Sequence, residues 1–254
     1  MMRNIIVTGG AGFIGSHIVE KLLNGDNKVI ILDNFSSGKE NFIENYTAHS
    51  NCKLYKVNLL NDPIDNYFKS VDEVWHLAAN SDIRMGMKNP LMEFNQNVLA
   101  TLNVLEAMRK NTIGKIVFTS SSSVYGEPSI IPTSEEYTPL IPISFYGASK
   151  LAAEALISSY SHSFGINAVI FRLANIIGPK LTHGVIYDLI DKLNNNPNEL
   201  EILGDGNQTK SYMHVEDCVE AMAIASENSK TKLEILNVGS QDTITVKEIA
   251  DILC

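Results

Sequence analysis

The sequence predicts an α/β fold, a Rossmann-like doubly wound parallel sheet followed by a smaller C-terminal lobe. Three observations predict it. Short apolar runs alternate with helical patterns over residues 1–175, as in a parallel sheet covered on both faces. The first run, "NIIVT", passes directly into "GGAGFIG" and then into a helical pattern. After Gly178-Pro179 the texture changes, and Asn, Pro and Gly become frequent in "LNNNPNELEILGDGNQTKSY". The expected division is 1–175 for the sheet domain and 176–254 for part of the smaller lobe.

The elements follow in order. Asn4–Thr8 reads as a strand and 16–23 as the helix after the glycines. Lys28–Asp33, 53–57 and 73–78 read as strands, the last holding the only Trp. A long helix is expected over 93–110, with Phe94, Val98, Leu102 and Leu105 on one face. Strands at 115–120 and 168–173 flank a second long helix, 146–164. The Asn run at 194–196 marks a helix end before Pro197. Right-handed crossovers make such an alternation doubly wound.

A chain of 254 residues, 44% hydrophobic with a mean hydropathy of zero, can build a sizeable core. The net charge of −9 and pI near 5.1 argue against general nucleic-acid or anionic-membrane binding. No apolar run approaches the ~18 residues of a membrane span. Cys52, Cys218 and Cys254 share no metal-ligand spacing, and the six histidines are scattered, so no metal site is expected. Reduced structural thiols and the absence of a signal-peptide core point to a cytoplasmic location.

Gly10-Ala11-Gly12-Phe13-Ile14-Gly15 fits G-x-G-x-x-G, and Gly9, Gly12 and Gly15 fit a looser spacing. Following a strand and opening a helix, such a loop lets backbone amides reach a pyrophosphate. Asp33 ends the second strand, 18 residues after Gly15. A carboxylate there accepts both adenosine-ribose hydroxyls and repels a 2′-phosphate, which favours NAD over NADP. Further along, "SFYGASKLAAEAL" places Tyr146 and Lys150 four apart at a helix start, on one face. An ammonium beside the phenol would lower the Tyr pKa toward working pH. The run "VFTSSSSVYG" brings hydroxyls to the C-terminal end of a strand, where a serine can hold an oxygen passing between alcohol and ketone.

These motifs make a resemblance. The chain resembles the extended short-chain dehydrogenases/reductases of the NAD-dependent sugar epimerase/dehydratase family. It is most similar there to the UDP-glucose (UDP-galactose) 4-epimerases, the archaeal-type branch above all. "VTGGAGFIGSH", "DNFSSG", "HLAA", "FNQNVLATLNVLEAM", "SSSSVYG", "YGASK", "FRLANIIGP", "HGVIYDLI" and "LGDGNQTKSYMHVEDCVEA" carry it in family order. The resemblance implies that Tyr146 is the general base at the sugar 4-hydroxyl. Lys150 holds the nicotinamide ribose and tunes Tyr146, and Ser121 orients the 4-oxygen. Hydride passes from sugar C4 to NAD, and the 4-keto sugar turns over and takes it back on the other face. The implied cofactor contacts are Gly9, Gly12, Phe13, Ile14, Gly15, Asp33, Asn34, Ser36, Gly38, Asn58, Leu59, Leu77, Ala78, Ala79 and Asn97, with Tyr146 and Lys150. The implied contacts to a UDP-sugar are Ser121, Ser122, Tyr146, Asn175, Val185, Lys210 and Tyr212.

Departures from the family pattern inform the reading. Related dehydratases carry a carboxylic pair just after the hydroxyl residue, and decarboxylating relatives keep a glutamate at the second of those positions. Here Ser122 and Ser123 stand there. Elimination then lacks its proton carrier, which favours epimerisation. Asn58 stands for the usual adenine-contacting Asp, and Lys210 for an Arg near the nucleotide phosphate. The resemblance also implies that a closing part of the smaller lobe lies past Cys254, with an Arg for the phosphates. The rivals are another nucleotide-sugar epimerase, an oxidoreductase that releases NADH, and a non-catalytic NAD-binding regulatory module. The long helices 93–110 and 146–164, the second carrying Leu151, Ala152 and Ala155, are expected to pair with their copies as a four-helix bundle in a homodimer, unless they only face their own sheet.

Overall fold

The computed structural model describes residues 2–80 and 83–254, with the side chains of residues 83–85 left out. Its strands are β1 (Asn4–Thr8), β2 (Lys28–Asp33), β3 (Cys52–Lys56), β4 (Glu73–His76), β5 (Lys115–Ser121), β6 (Asn167–Leu173), β7 (Asn175–Ile177), β8 (Thr209–Lys210), β9 (Tyr212–His214), β10 (Leu233–Val238) and β11 (Ile244–Thr245). Its helices are α1 (Phe13–Asn24), α2 (Glu44–Thr47), α3 (Ile83–Lys88), α4 (Pro90–Glu93), α5 (Ala100–Lys110), α6 (Phe145–Phe164), α7 (Val185–Asn195), α8 (Val215–Asn228) and α9 (Val246–Leu253).

Seven strands form one parallel sheet in the order β10-β6-β5-β4-β1-β2-β3. The strand order reverses between β1 and β4, the topological switch point where such sheets bind ligands at their C-terminal ends. Thr8, Asp33, His76, Ser121 and Leu173 stand at those ends. The central strands are buried throughout: Ile5, Ile6, Val7, Val74, Ile116, Val117 and Ile170 have no or almost no exposure. That is why they read as continuous apolar runs rather than as alternation.

One face of the sheet packs on α1 and α8, with Ile18, Val19 and Leu22 meeting Val215, Cys218, Val219 and Met222. The other packs on α5, α6 and the 57–71 segment, around Val104, Leu105, Met108, Ala153 and Ile157. The expected single cut after residue 175 therefore needs correction. Residues 215–238 supply a covering helix and the edge strand of the main sheet. The smaller lobe is a satellite cluster of Leu189, Val246 and Ile249, with Val185, Tyr212 and Ile244 packed around it. The change of texture after Gly178 marks where the chain leaves the sheet, but composition carries no sign of its return.

The helix expected over 93–110 is not regular either. Helix α4 runs into a π-helical turn, Phe94–Leu99, before α5. The extra residue rotates the preceding face, so Val98 and Leu105 are buried while Phe94 is 53% exposed. Helix α7 ends at Asn195, with Asn196 as its cap.

Candidate active site

The glycine loop forms the floor of the switch point. Gly9 has φ +69°, and a Cβ there would lie 2.7 Å from the Ala78 nitrogen. At Gly15 a Cβ would fall onto the Gly9 carbonyl, so helix and loop can pack only around glycine. Gly12 differs: a Cβ there would meet only the Gly9 oxygen, at 3.2 Å. It caps α1 with no side chain of its own and no acidic residue in the first turn, so the helix N-terminus presents its amides to an anion. Phe13 and Ile14 follow, partly buried on the α1 side of the core.

Asp33 is buried and accepts hydrogen bonds from Ala11 N–H at 2.9 Å and Phe35 N–H at 2.8 Å. Burial raises its pKa, and the bonds from Phe35, Ala11 and Asn34 oppose that rise. Asn34 Oδ1 accepts from Ser36 N–H, shaping the turn that leads to Gly38 against Ala11. Asn58 is tied locally, its side-chain carbonyl accepting from Leu60 N–H at 3.0 Å, with Leu59 buried behind it. Leu77, Ala78 and Ala79 line the loop after β4, all partly buried. A glycine cradle, an open helix N-terminus and a ribose-side carboxylate together fit a dinucleotide.

The reacting side is built by β5 and α6. Ser144 caps α6 by accepting from Gly147 N–H at 3.0 Å, which starts the helix one residue before Tyr146. Ser123 donates to Ser121 Oγ from both its backbone N–H (3.2 Å) and its hydroxyl (3.0 Å). The Ser121 hydroxyl also interacts with the Tyr146 phenol and favours its ionised form. Ser122 is exposed at the mouth.

Lys150 shares the face of Tyr146 as expected, but not the expected relation. Its Nζ donates to the Thr119 carbonyl at 2.8 Å, 4.8 Å from the Phe118 ring centroid and 5.9 Å from that of Tyr146. Burial pushes the Tyr146 phenol up to about 12; the Ser121 bond opposes this and the charge of Glu93 adds to it. Burial pushes Lys150 down to about 8 against the pull of Glu154 and Glu93. The expectation of a lowered phenol pKa is thus corrected for this state: desolvation outweighs an ammonium engaged elsewhere.

Glu93 and Glu154 escaped the sequence reading, while Asn97 is among its implied cofactor contacts. Glu93 is buried and accepts from Asn80 Nδ2 (2.6 Å) and Asn97 Nδ2 (2.8 Å). Asn97, itself buried, also donates to Ser149 Oγ at 2.8 Å and accepts from Asn80 N–H at 2.8 Å. Its side chain joins protein groups rather than facing outward. Glu154 pairs with Arg172 at 2.8 Å and accepts from the Ser120 hydroxyl at 2.5 Å, locking β5 next to Ser121. Polar residues inside apolar patterns were the available signal.

Of the residues that the resemblance implies for a UDP-sugar, Asn175, Val185, Lys210 and Tyr212 lie together in the smaller lobe. Asn175 stands opposite Tyr212 in the β7–β9 pair and donates to the Ser211 carbonyl at 2.9 Å. Val185 and Tyr212 pack on the same satellite cluster, and Lys210 pairs with Ile244 of β11. A cavity of about 650 Å³ is lined by Tyr212, Ile244 and Glu248. Among the described residues no cluster could hold a metal, and no helix is long and apolar enough to cross a membrane.

The sequence profile of the NAD-dependent epimerase/dehydratase family matches residues 5–239. The chain belongs to that family. NAD is its cofactor, and it is an enzyme family acting on nucleotide sugars. A Methanocaldococcus jannaschii protein provisionally named UDP-glucose 4-epimerase is 42% identical over 98% of this chain and 81% of its own. The solved UDP-N-acetylglucosamine 4-epimerase of Methanobrevibacter ruminantium, in complex with UDP-N-acetylmuramic acid, is 34% identical. It superposes with a TM-score of 0.92 over 99% of this chain and 81% of its own. UDP-glucuronic acid decarboxylase 6 of Arabidopsis thaliana is 33% identical over 97% of this chain and 72% of its own.

Proposed function

We propose that this family member is a UDP-sugar 4-epimerase, with UDP-glucose and UDP-galactose as its pair. The observation that carries the reading is the hydroxyl relay Ser123–Ser121–Tyr146 at the end of β5, with serines at both positions where eliminating or decarboxylating relatives need carboxylates. Ser121 holds the 4-oxygen and Tyr146 takes and returns its proton. NAD supplies a hydride acceptor that gives the hydride back within the turnover. Asp33 and the glycine loop hold its ribose and pyrophosphate, with Asn34, Ser36, Gly38, Asn58 and Leu77–Ala79 around them. Lys150, released from Thr119, reaches the ribose beside the nicotinamide. Asn175, Val185, Lys210 and Tyr212 hold the UDP-sugar.

The same reading gives a homodimer through helices at 93–110 and 146–164, supported by exposed Phe94 and Phe164 on those segments. A second reading, an N-acetylhexosamine pair at the same site, is favoured by the 0.92 superposition on a UDP-N-acetylglucosamine 4-epimerase. The test is incubation of the purified chain with UDP-galactose without added NAD. Appearance of UDP-glucose, and its loss in Tyr146→Phe by at least about 100-fold, supports the first reading. Turnover of UDP-N-acetylglucosamine alone selects the second. NADH accumulating with product would overturn both in favour of a net oxidoreductase.

A further inference from the structure

His76 belongs to no step above, yet it is wholly buried between the cofactor loop and the helix that carries Asn97. Its register partners are Thr8 on β1 and Phe118 on β5, whose ring lies 5.7 Å away. Nδ1 is 2.7 Å from Thr8 Oγ1, and Nε2 is 2.9 Å from Thr101 Oγ1. Thr101 donates its one proton to the Asn97 carbonyl at 2.6 Å. Toward His76 it can then only accept, so Nε2 carries the hydrogen. On the other side Thr8 Oγ1 accepts from Ala78 N–H at 3.2 Å, and its own proton goes to the bare Nδ1.

Every proton in the chain is thereby directed. Ala78 N–H donates to Thr8, Thr8 to Nδ1, Nε2–H to Thr101, and Thr101 to Asn97. The opposite tautomer would leave the Thr8 proton without an acceptor in this chain and make Nε2 compete with the Asn97 carbonyl for the Thr101 proton. An imidazolium would orphan the Thr8 proton too. Burial and then the charge of Lys150, the titratable group facing it from α6, hold the ring neutral, pushed down to about 3. At the far end, Asn97 fixes Asn80 and Ser149, and Ser149 Oγ donates to the Tyr146 carbonyl at 2.8 Å.

We propose that His76, as the neutral Nε2–H tautomer, is a positioning residue that locks the cofactor loop at Ala78 to the π turn at Asn97 and thereby to the start of the Tyr146 helix. Its consequence for cofactor retention rests on the NAD reading of that loop; the tautomer does not. Long-range ¹H–¹⁵N spectra of the histidine rings in the intact chain test it first. One imidazole is expected as Nε2–H with no titration between pH 5 and 9. A buried ring in the Nδ1–H form, or six rings that all titrate, would overturn the proposal.

Thr101→Val tests the consequence, since it keeps the shape and removes both hydrogen bonds. NAD dissociation is expected to speed up by roughly fivefold to tenfold, the worth of a buried hydrogen bond, and Thr101→Ser to restore it. Unchanged dissociation in Thr101→Val overturns the positioning role. A wild-type chain that binds no NAD at all sinks the functional reading instead, and the spectra still decide the tautomer. They also decide it if Thr101→Val does not fold.

Discussion

Gly12 and Gly9 look alike in the sequence and differ in kind in the structure. Gly9 needs its left-handed backbone and touches the Ala78 main chain. Gly12 has an ordinary φ of −79° and only one near neighbour for a Cβ. Gly12→Ala should therefore keep urea stability within about 1 kcal/mol of wild type while weakening NAD binding at least tenfold by calorimetry. Gly9→Ala should lose stability by roughly 2 kcal/mol or more. Equal stability losses in the two would contradict this assignment. Lys150 gives a pH signature. Below pH 8 its ammonium is buried in the folded state and hydrated in the unfolded one, which opposes folding. From pH 8 to its ordinary 10.5 only the unfolded chain keeps the proton, so stability rises with pH through this group. The full gain is at most about 3 kcal/mol. Tyr146 acts oppositely and higher: its contribution is present below pH 10 and lost as pH rises toward 12. Urea midpoints from pH 7 to 10 should climb less in Lys150→Met than in wild type.

At the scale of elements, local rules placed most of the secondary structure. The β1–loop–α1 unit, Asp33 at the end of β2, and Tyr146 with Lys150 on α6 were legible because glycine stereochemistry, strand hydrophobicity and i, i+4 spacing are local. The π turn was not legible, because an inserted residue leaves no mark on a pattern of apolar spacing. Nor was the engagement of Lys150 with Thr119, which depends on how β5 lies under α6. The cap of α6 was within reach, as a Ser three residues before a small residue in a helical run. Because Tyr146 sits in the first turn of α6, loss of that cap should reach the site. Ser144→Ala is expected to cost about 1 kcal/mol and to lower kcat more than it raises KM, with Ser144→Asp restoring both. A pure KM effect would show that the first turn of α6 is held by other contacts.

The whole molecule departs most from what composition suggested, and the reason is chain reversal. Residues 176–214 leave the main sheet, but α8 and β10 come back to it. Strand β10 pairs with β6 over six residues, from Leu233 opposite Ala168 to Val238 opposite Leu173. Helix α8 covers Ile18, Val19 and Leu22 of the very helix that the glycine loop opens. A windowed reading cannot see such a return, since Leu233–Val238 is one more short apolar run with no local label for its partner. The fragment 1–175 would strip β6 of its neighbour and uncover one apolar side of α1. It should be a loosely packed or aggregating chain that binds a hydrophobic dye and does not retain NAD. The intact chain should unfold cooperatively and retain it. Near-ultraviolet circular dichroism and urea titration of the two separate these outcomes. A fragment 1–175 with a cooperative transition and bound NAD would show that the first six strands are self-sufficient and that α8 and β10 only decorate them.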